Sequence, residues 1–307
     1  MVKLRREVIE TPDGDELVLD HLDATIAAPL HFVMLHGLEG SSQSVYMQGV
    51  LSAIRRHGHA ATAINFRSCA RDPRSLFRML PNRRPRFYHS GETEDFDFVV
   101  RKLAAEGKTL LAFGASLGGN VILKWLGEHP GQTLITAAAT ISVPYDLGAG
   151  AAFLDTRLGR FYVSRFVATL NKKVAKVVRD FPELKGKVDL ERARRARTFR
   201  EFDDAATAPI HGFADADDYY RRASSIFYLS RITTPTLCIS AADDPFLPRE
   251  VLDRVRAVAS PSVELLTTES GGHVGFISGT APWRSVYWAE ERVVEWLIGR
   301  ANEPSPA

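Results

Sequence analysis

Short apolar runs alternate with helical patterns along most of the chain. His31–Leu35, Ala61–Asn65, Thr109–Gly114, Leu134–Val143, Thr236–Ser240 and Val263–Leu266 are runs bounded by Gly, Pro or polar residues. Their length and continuity predict strands buried on both faces of a parallel sheet. Between them, apolar residues recur at three- and four-residue spacing in Val45/Val50/Leu51/Ile54, Phe96/Val99/Val100/Leu103, Val121/Ile122/Trp125/Leu126, Val251/Leu252/Val255/Val258 and Val286/Val293/Val294/Leu297. These sets predict amphipathic helices. The alternating order implies an α/β fold: an open, mostly parallel sheet with helices on both faces and right-handed crossovers. In such sheets ligands sit beyond the C-terminal ends of the strands.

The alternation breaks between about Pro144 and Ser230, a helical and charged interval too long to be a loop. It reads as an inserted helical cap over residues 144–230, with residues 1–143 and 231–300 forming the core and 301–307 a frayed tail. The length of 307 residues and the 45% hydrophobic content provide a sizeable core. The aromatic residues of the last helix, Trp283, Tyr287, Trp288 and Trp296, are expected in that core.

No run is long and apolar enough to span a membrane, since the longest uncharged stretch, Glu128 to Asp146, carries Pro130, Gly131 and Pro144. The N-terminus lacks the apolar core of a signal peptide, which points to a cytoplasmic address. Cys69 and Cys238 are too few for a disulfide framework and lack metal-ligand spacing, so both are expected as buried small hydrophobes. The net charge of +2 conceals two basic runs: seven arginines against Asp72 alone between Arg67 and Arg86, and eleven Lys/Arg against five acids between Asn171 and Glu201. Such runs are usually solvated faces or loops, and no nucleic-acid partner is expected. His89, Glu92 and Asp95 could in principle donate ligands. Ser90, placed where a helix should begin, explains the cluster more simply as an N-cap followed by first-turn acids. No H-E-x-x-H or paired carboxylates at metal spacing occur, and no metal or organic cofactor is expected.

The chemistry lies at strand ends. Gly114-Ala115-Ser116-Leu117-Gly118 matches G-x-S-x-G between a strand and a helix, a context that exposes the serine hydroxyl at a sharp turn. A serine becomes a competent nucleophile only beside a base held by a third group. The sixth strand leads into Gly271-Gly272-His273, and the fifth into Asp243-Asp244-Pro245, so His273 and an acid emerge at the same edge. Asp244 is favoured because it is followed by two residues, an aliphatic residue and Pro; Asp243 is the alternative. His57, His59 and His129 follow no late strand and read as surface or capping residues. Two backbone N–H groups are expected to hold an oxyanion: Leu117, at a helix N-terminus, and Leu38, in the loop His36-Gly37-Leu38-Glu39-Gly40. His36 is expected to support that loop.

The chain resembles the α/β-hydrolase superfamily, and within it the YheT-type esterase branch. The resemblance rests on His36-Gly37-Leu38-Glu39-Gly40, Asn65-Phe66-Arg67, Tyr88 to Asp95, Gly114 to Asn120, Arg200 to Asp204, Gly212-Phe213-Ala214, Tyr219-Tyr220, Asp243 to Phe246 and Gly271 to Phe276. It implies hydrolysis of carboxylic esters with a Ser116, Asp244 and His273 triad. Two features depart from the family pattern. Ser68-Cys69-Ala70-Arg71 stands where Gly-Cys-Ser-Gly is usual, and the chain begins after a Pro- and aromatic-rich N-terminal segment. The expectation is therefore a serine esterase taking short- to medium-chain acyl esters through an acyl-enzyme, without stable membrane insertion. Acyl transfer to an alcohol, as relatives of this branch perform, is the alternative, and a non-catalytic binding protein on the same scaffold is another. Oligomeric state is not legible.

Overall fold

The structure is a computed structural model that describes residues 1–75, 78–278 and 286–303. Strands β1 (Arg5–Glu10), β2 (Glu16–Leu22), β3 (His31–Leu35), β4 (Ala60–Asn65), β5 (Leu110–Ala115), β6 (Ile135–Ile141), β7 (Thr236–Ala241) and β8 (Val263–Thr268) form an eight-stranded sheet. Its order is β1-β2-β4-β3-β5-β6-β7-β8. β3 to β8 run parallel, as the apolar runs predict, while β1 and β2 are antiparallel additions at one edge.

The two antiparallel strands escape a reading based on apolar runs. β2 buries Asp20 and His21 within an otherwise apolar stretch. Asp20 is satisfied by Arg6 at 2.7 Å, by the Ser42 hydroxyl at 2.5 Å and by Asn65 Nδ2 at 2.9 Å, and these partners are far away in sequence. A buried carboxylate with several donors is stable there, whereas an unpaired one would not be.

The sheet carries two apolar layers. Phe32 and Met34 of β3 face helices α1 (Val45–Arg56) and α11 (Trp288–Asn302), whereas Val33 and Leu35 face α2 (Glu94–Ala105) and α3 (Leu117–Glu128). This is the period-two division of a strand buried on both faces, and β3 stands inside the sheet between β4 and β5. α10 (Arg249–Val258) lies between β7 and β8 and buries Val251, Leu252 and Val255. Val286 is not part of the last helix: with Tyr287 it forms β10, paired with β9 (Ile277–Ser278). Tyr287 is exposed, contrary to the core position expected for it, whereas Trp288 and Trp296 pack partly buried against the core; Trp283 lies outside the described residues. The helix continues through Asn302, into the segment expected to fray.

Between β6 and β7 the chain is helical: α4 (Leu147–Phe153), α5 (Arg157–Asp180), α6 (Leu190–Arg195), α7 (Phe199–Phe202), α8 (Ala208–His211) and α9 (Ala216–Ala223), with a π-helical turn at Asp203–Thr207. Local sequence explains the starts. The side chains of Asp146, Thr156, Asp189, Thr198 and Asp215 each accept a backbone N–H three residues on. Val163, Val167, Leu170, Val174 and Val177 form the buried stripe of α5. No helix among the described residues is long and apolar enough to cross a membrane.

The first basic run is exposed at Arg71, Arg74, Arg78, Arg83 and Arg84, as expected of a solvated loop, but not at Arg67. Arg67 is buried and bridges Asp13, Asp15 and Asp95, while Arg74 and Arg83 reach Glu16 and Arg86 reaches Glu92 and Glu94. Ser90 is not an N-cap. α2 starts at Glu94 after Thr93, and the Glu92 carboxylate accepts the Glu94 N–H at 3.0 Å. Of the acids expected in the first turn, Asp95 lies there beside Glu94 and Asp97, whereas Glu92 precedes the helix.

Candidate active site

Ser116 is the single residue between β5 and α3. Its φ of +51° and ψ of −121° are unusual for a residue with a side chain and turn the hydroxyl away from the sheet. The turn is possible because glycine flanks it. A Cβ on Gly114 would lie 2.7 Å from the backbone of Gly118, and one on Gly118 would lie 2.6 Å from the carbonyl oxygens of Leu35 and His36. The helix therefore starts in direct contact with the ends of β3 and β5.

β8 leads to His273, whose Nε2 lies 2.9 Å from Ser116 Oγ. Its Nδ1 lies 2.9 Å and 3.1 Å from the two carboxylate oxygens of Asp244. The carboxylate can only accept, so Nδ1 carries the proton and Nε2 is free to accept from the serine hydroxyl. Asp244 is buried, and its Oδ1 also accepts the Phe246 N–H at 2.8 Å. The Phe246 ring sits 4.6 Å from the imidazole.

Asp243, the alternative acid, points elsewhere. Its Oδ1 accepts the N–H groups of Gly271 and Gly272, both at 2.9 Å, and so shapes the turn that presents His273. The Val274 N–H donates to Ser142 Oγ at 3.2 Å, fixing the far side of the same turn to the end of β6. The sequence-predicted serine, histidine and Asp244 therefore come together, and Asp243 does not join them.

The loop after β3 lies opposite. Leu38 and Leu117 both line the pocket that contains Ser116 and His273. Neither backbone N–H donates to a protein acceptor among the described residues. His36 is fully buried, and desolvation pushes it down to about 4 despite its bond to Gly37, so it is neutral. Its Nδ1–H donates to the Gly37 carbonyl at 2.7 Å and its Nε2 accepts the Phe66 N–H at 3.1 Å, tying the loop to the end of β4. Tyr46 Oη accepts the Gly37 N–H at 2.8 Å.

Most of the remaining pocket wall is apolar or aromatic, with Leu154, Phe166, Leu170 and Phe199 from the helical interval and Tyr88 and Phe246 from the sheet side. Asp203 is the acidic exception in that wall. Burial pushes its carboxyl up to about 7 even though Thr207 and Tyr220 donate to it. Asn120, directly after the glycines of the serine motif, joins three segments. It donates to the carbonyls of Ser90 and Ala223 at 2.8 Å each and accepts the Ser225 N–H at 2.9 Å. Its position four residues after Ser116 was the available signal: one helical turn on, it faces the same end of the sheet.

Comparison with known proteins agrees with this architecture. Residues 31–280 match the family described as alpha/beta hydrolase fold. The chain is 37% identical to the Escherichia coli protein named "Putative esterase YheT", over 94% of this chain and 83% of that one. It is 32% identical to the mouse protein named Phospholipase ABHD3, over 99% of this chain and 74% of the relative. Among solved structures, the Pyrococcus furiosus esterase Pf2001 superposes with a TM-score of 0.59 at 18% identity, covering 98% of this chain and 91% of that one, which is a likeness of fold.

Proposed function

We propose that this chain, which belongs to the α/β-hydrolase family and to its YheT-type branch, hydrolyses carboxylic esters through an acyl-enzyme on Ser116. The observation that carries the proposal is the continuous contact from Asp244 through His273 to Ser116 Oγ. Relatives named esterase and phospholipase support ester chemistry.

In this reading His273 Nε2 takes the hydroxyl proton as Ser116 Oγ attacks the ester carbonyl. Asp244 stabilises the imidazolium that forms and holds its orientation. The N–H groups of Leu38 and Leu117 receive the developing oxyanion, with the N-terminus of α3 adding a favourable field. His273 then delivers the proton to the departing alcohol oxygen, and the acyl group remains on Ser116. Water enters, gives its proton to the same Nε2, and its oxygen attacks the acyl carbonyl. Collapse returns the proton to Ser116 Oγ and releases the acid.

The apolar wall fits an acyl chain of short to medium length, because Leu154, Phe166 and Leu170 offer it surface and no charge. The helical interval 144–230 acts as a cap over the strand ends, and the enzyme works in the cytoplasm. Esters of p-nitrophenol graded by acyl length test the proposal. Turnover by the native protein and its loss in Ser116→Ala by at least about 10³-fold is the expected result; equal turnover by the two proteins would remove Ser116 from the mechanism.

A further inference from the structure

The loop that carries Leu38 is strained where it leaves the site. Glu39 has a φ of +57°, in the left-handed region that residues with a Cβ rarely occupy. Such a conformation persists only where its surroundings impose it. Tyr88 Oη accepts the Glu39 N–H at 2.8 Å and donates to Glu39 Oε1 at 2.7 Å, closing a ring of hydrogen bonds around this residue. The Tyr88 ring is fixed in turn by stacking on Phe66 at 5.1 Å.

The remaining bond comes from the helical interval. Lys173 of α5 places Nζ 2.5 Å from Glu39 Oε1, 3.1 Å from Cys69 Sγ and 5.0 Å above the Tyr88 ring centre. The lysine and glutamate side chains are 16% and 13% exposed, so the pair is largely removed from water. Charges in such surroundings interact more strongly than at the surface, and breaking the pair leaves a carboxylate without its counter-ion. His36, Tyr46 and Tyr88, which also hold this loop, all lie in the sheet portion of the chain. Leu170, three residues before Lys173 on α5, lines the pocket beside Ser116.

We infer that Lys173 is a positioning residue that couples the seating of α5 to completion of the oxyanion site, through Glu39 and the strained peptide next to Leu38. The inference rests on the ester-hydrolase reading. An acyl chain packed against Leu170 favours the seated position of α5. The seated helix brings Lys173 onto Glu39, and Glu39 with Tyr88 fixes the direction of the Leu38 N–H. When α5 is displaced, Glu39 loses its counter-ion and the left-handed turn loses one of its restraints. Substrate binding and the stabilisation of charge in the transition state are thereby linked across two parts of the chain.

The experiment compares native enzyme with Lys173→Met, Lys173→Arg and Glu39→Gln, measuring kcat and KM on p-nitrophenyl butyrate and inhibition by phenylboronic acid, which forms a tetrahedral adduct on an active serine. Lys173→Met and Glu39→Gln are expected to lower kcat by about 10–100-fold with KM within about twofold, and to weaken the boronic acid by a similar factor. Lys173→Arg is expected to recover most of the loss, because it restores the cation. Circular dichroism identifies any variant that has not folded, and Glu39→Gln then carries the test. If the native enzyme is active and the folded variants keep its kcat, or lose only KM, or arginine recovers nothing, the inference is overturned alone. If the native enzyme turns over no ester at all, the hydrolase reading falls and takes the inference with it.

Discussion

Asp243 and Asp244 are neighbours in sequence that hold opposite ends of one device: Asp243 Oδ1 binds the N–H groups of Gly271 and Gly272, and Asp244 binds Nδ1 of His273. One acid shapes the turn, and the other faces the ring that the turn presents. The same substitution at the two sites should therefore separate their roles. Asp243→Asn keeps an amide oxygen able to accept both glycine N–H groups, and kcat should fall by less than about 10-fold. Asp244→Asn can donate to Nδ1 and so favours the tautomer with its proton on Nε2, which cannot take the serine proton; a fall of about 10³–10⁴-fold is expected. Steady-state kinetics on one ester would decide it, and comparable losses at both positions would contradict the assignment.

Gly118→Ala should damage the fold more than a surface change of the same size. Its Cβ would meet the carbonyl oxygens of Leu35 and His36 at 2.6 Å, and backbone cannot give way as a flexible side chain can. The first turn of α3 would have to withdraw from β3, at a cost on the order of 3 kcal/mol. Urea denaturation should show a lowered midpoint, and activity should fall as Ser116 is displaced. An unchanged midpoint would mean that the contact relaxes at little cost.

Arg67 links the edge of the sheet to α2 by binding Asp13, Asp15 and Asp95 from within the protein. Arg67→Met should lower stability by about 3–5 kcal/mol, because it leaves buried carboxylates without their counter-ion. Arg67→Lys should recover only part of this, since one ammonium cannot reproduce the paired guanidinium contacts to Asp95 at 2.6 and 2.8 Å. Chemical denaturation measures both, and full recovery by lysine would show that charge alone matters.

The contribution of two buried carboxyls to stability should fall as pH rises toward neutrality. Burial pushes Glu290 up from 4.5 to about 7 and Asp203 up from 3.8 to about 7. Glu290 Oε2 has no hydrogen-bond partner among the described residues. Each folded carboxyl holds its proton more tightly than the unfolded one. Their contribution is therefore complete below the unfolded values near 4 and is lost as pH passes 7. Glu290→Gln should be more stable than the native protein at about pH 8.5, by an amount on the order of 2 kcal/mol, with the difference shrinking at about pH 4.5. Denaturation at the two pH values tests this; a pH-independent difference would exclude titration as its cause.

The parallel strands were legible because each is a continuous apolar run, and a strand buried on both faces leaves that trace. β2 leaves only a run broken by Asp20 and His21, which partners from other segments make tolerable, and β1 is mostly charged and only partly buried. The serine, histidine and acid could be read because each follows a strand end, so chain order and sheet topology together bring them to one edge. The Lys173–Glu39 pair spans 134 residues and follows no strand, and no local pattern announces it. Ser90 is misleading for a related reason: composition marks it as a cap, whereas its N–H donates to Tyr219 Oη at 3.0 Å and the helix starts later.

The most direct test is covalent. The folded protein is treated with a fluorophosphonate and digested, and the adduct is located by mass spectrometry, with His273→Ala treated in parallel. Phosphonylation of Ser116 in the native chain, slowed by about 10²-fold or more in His273→Ala, is the predicted result. A folded native protein that leaves Ser116 unlabelled, or labels it equally fast without His273, would contradict the account.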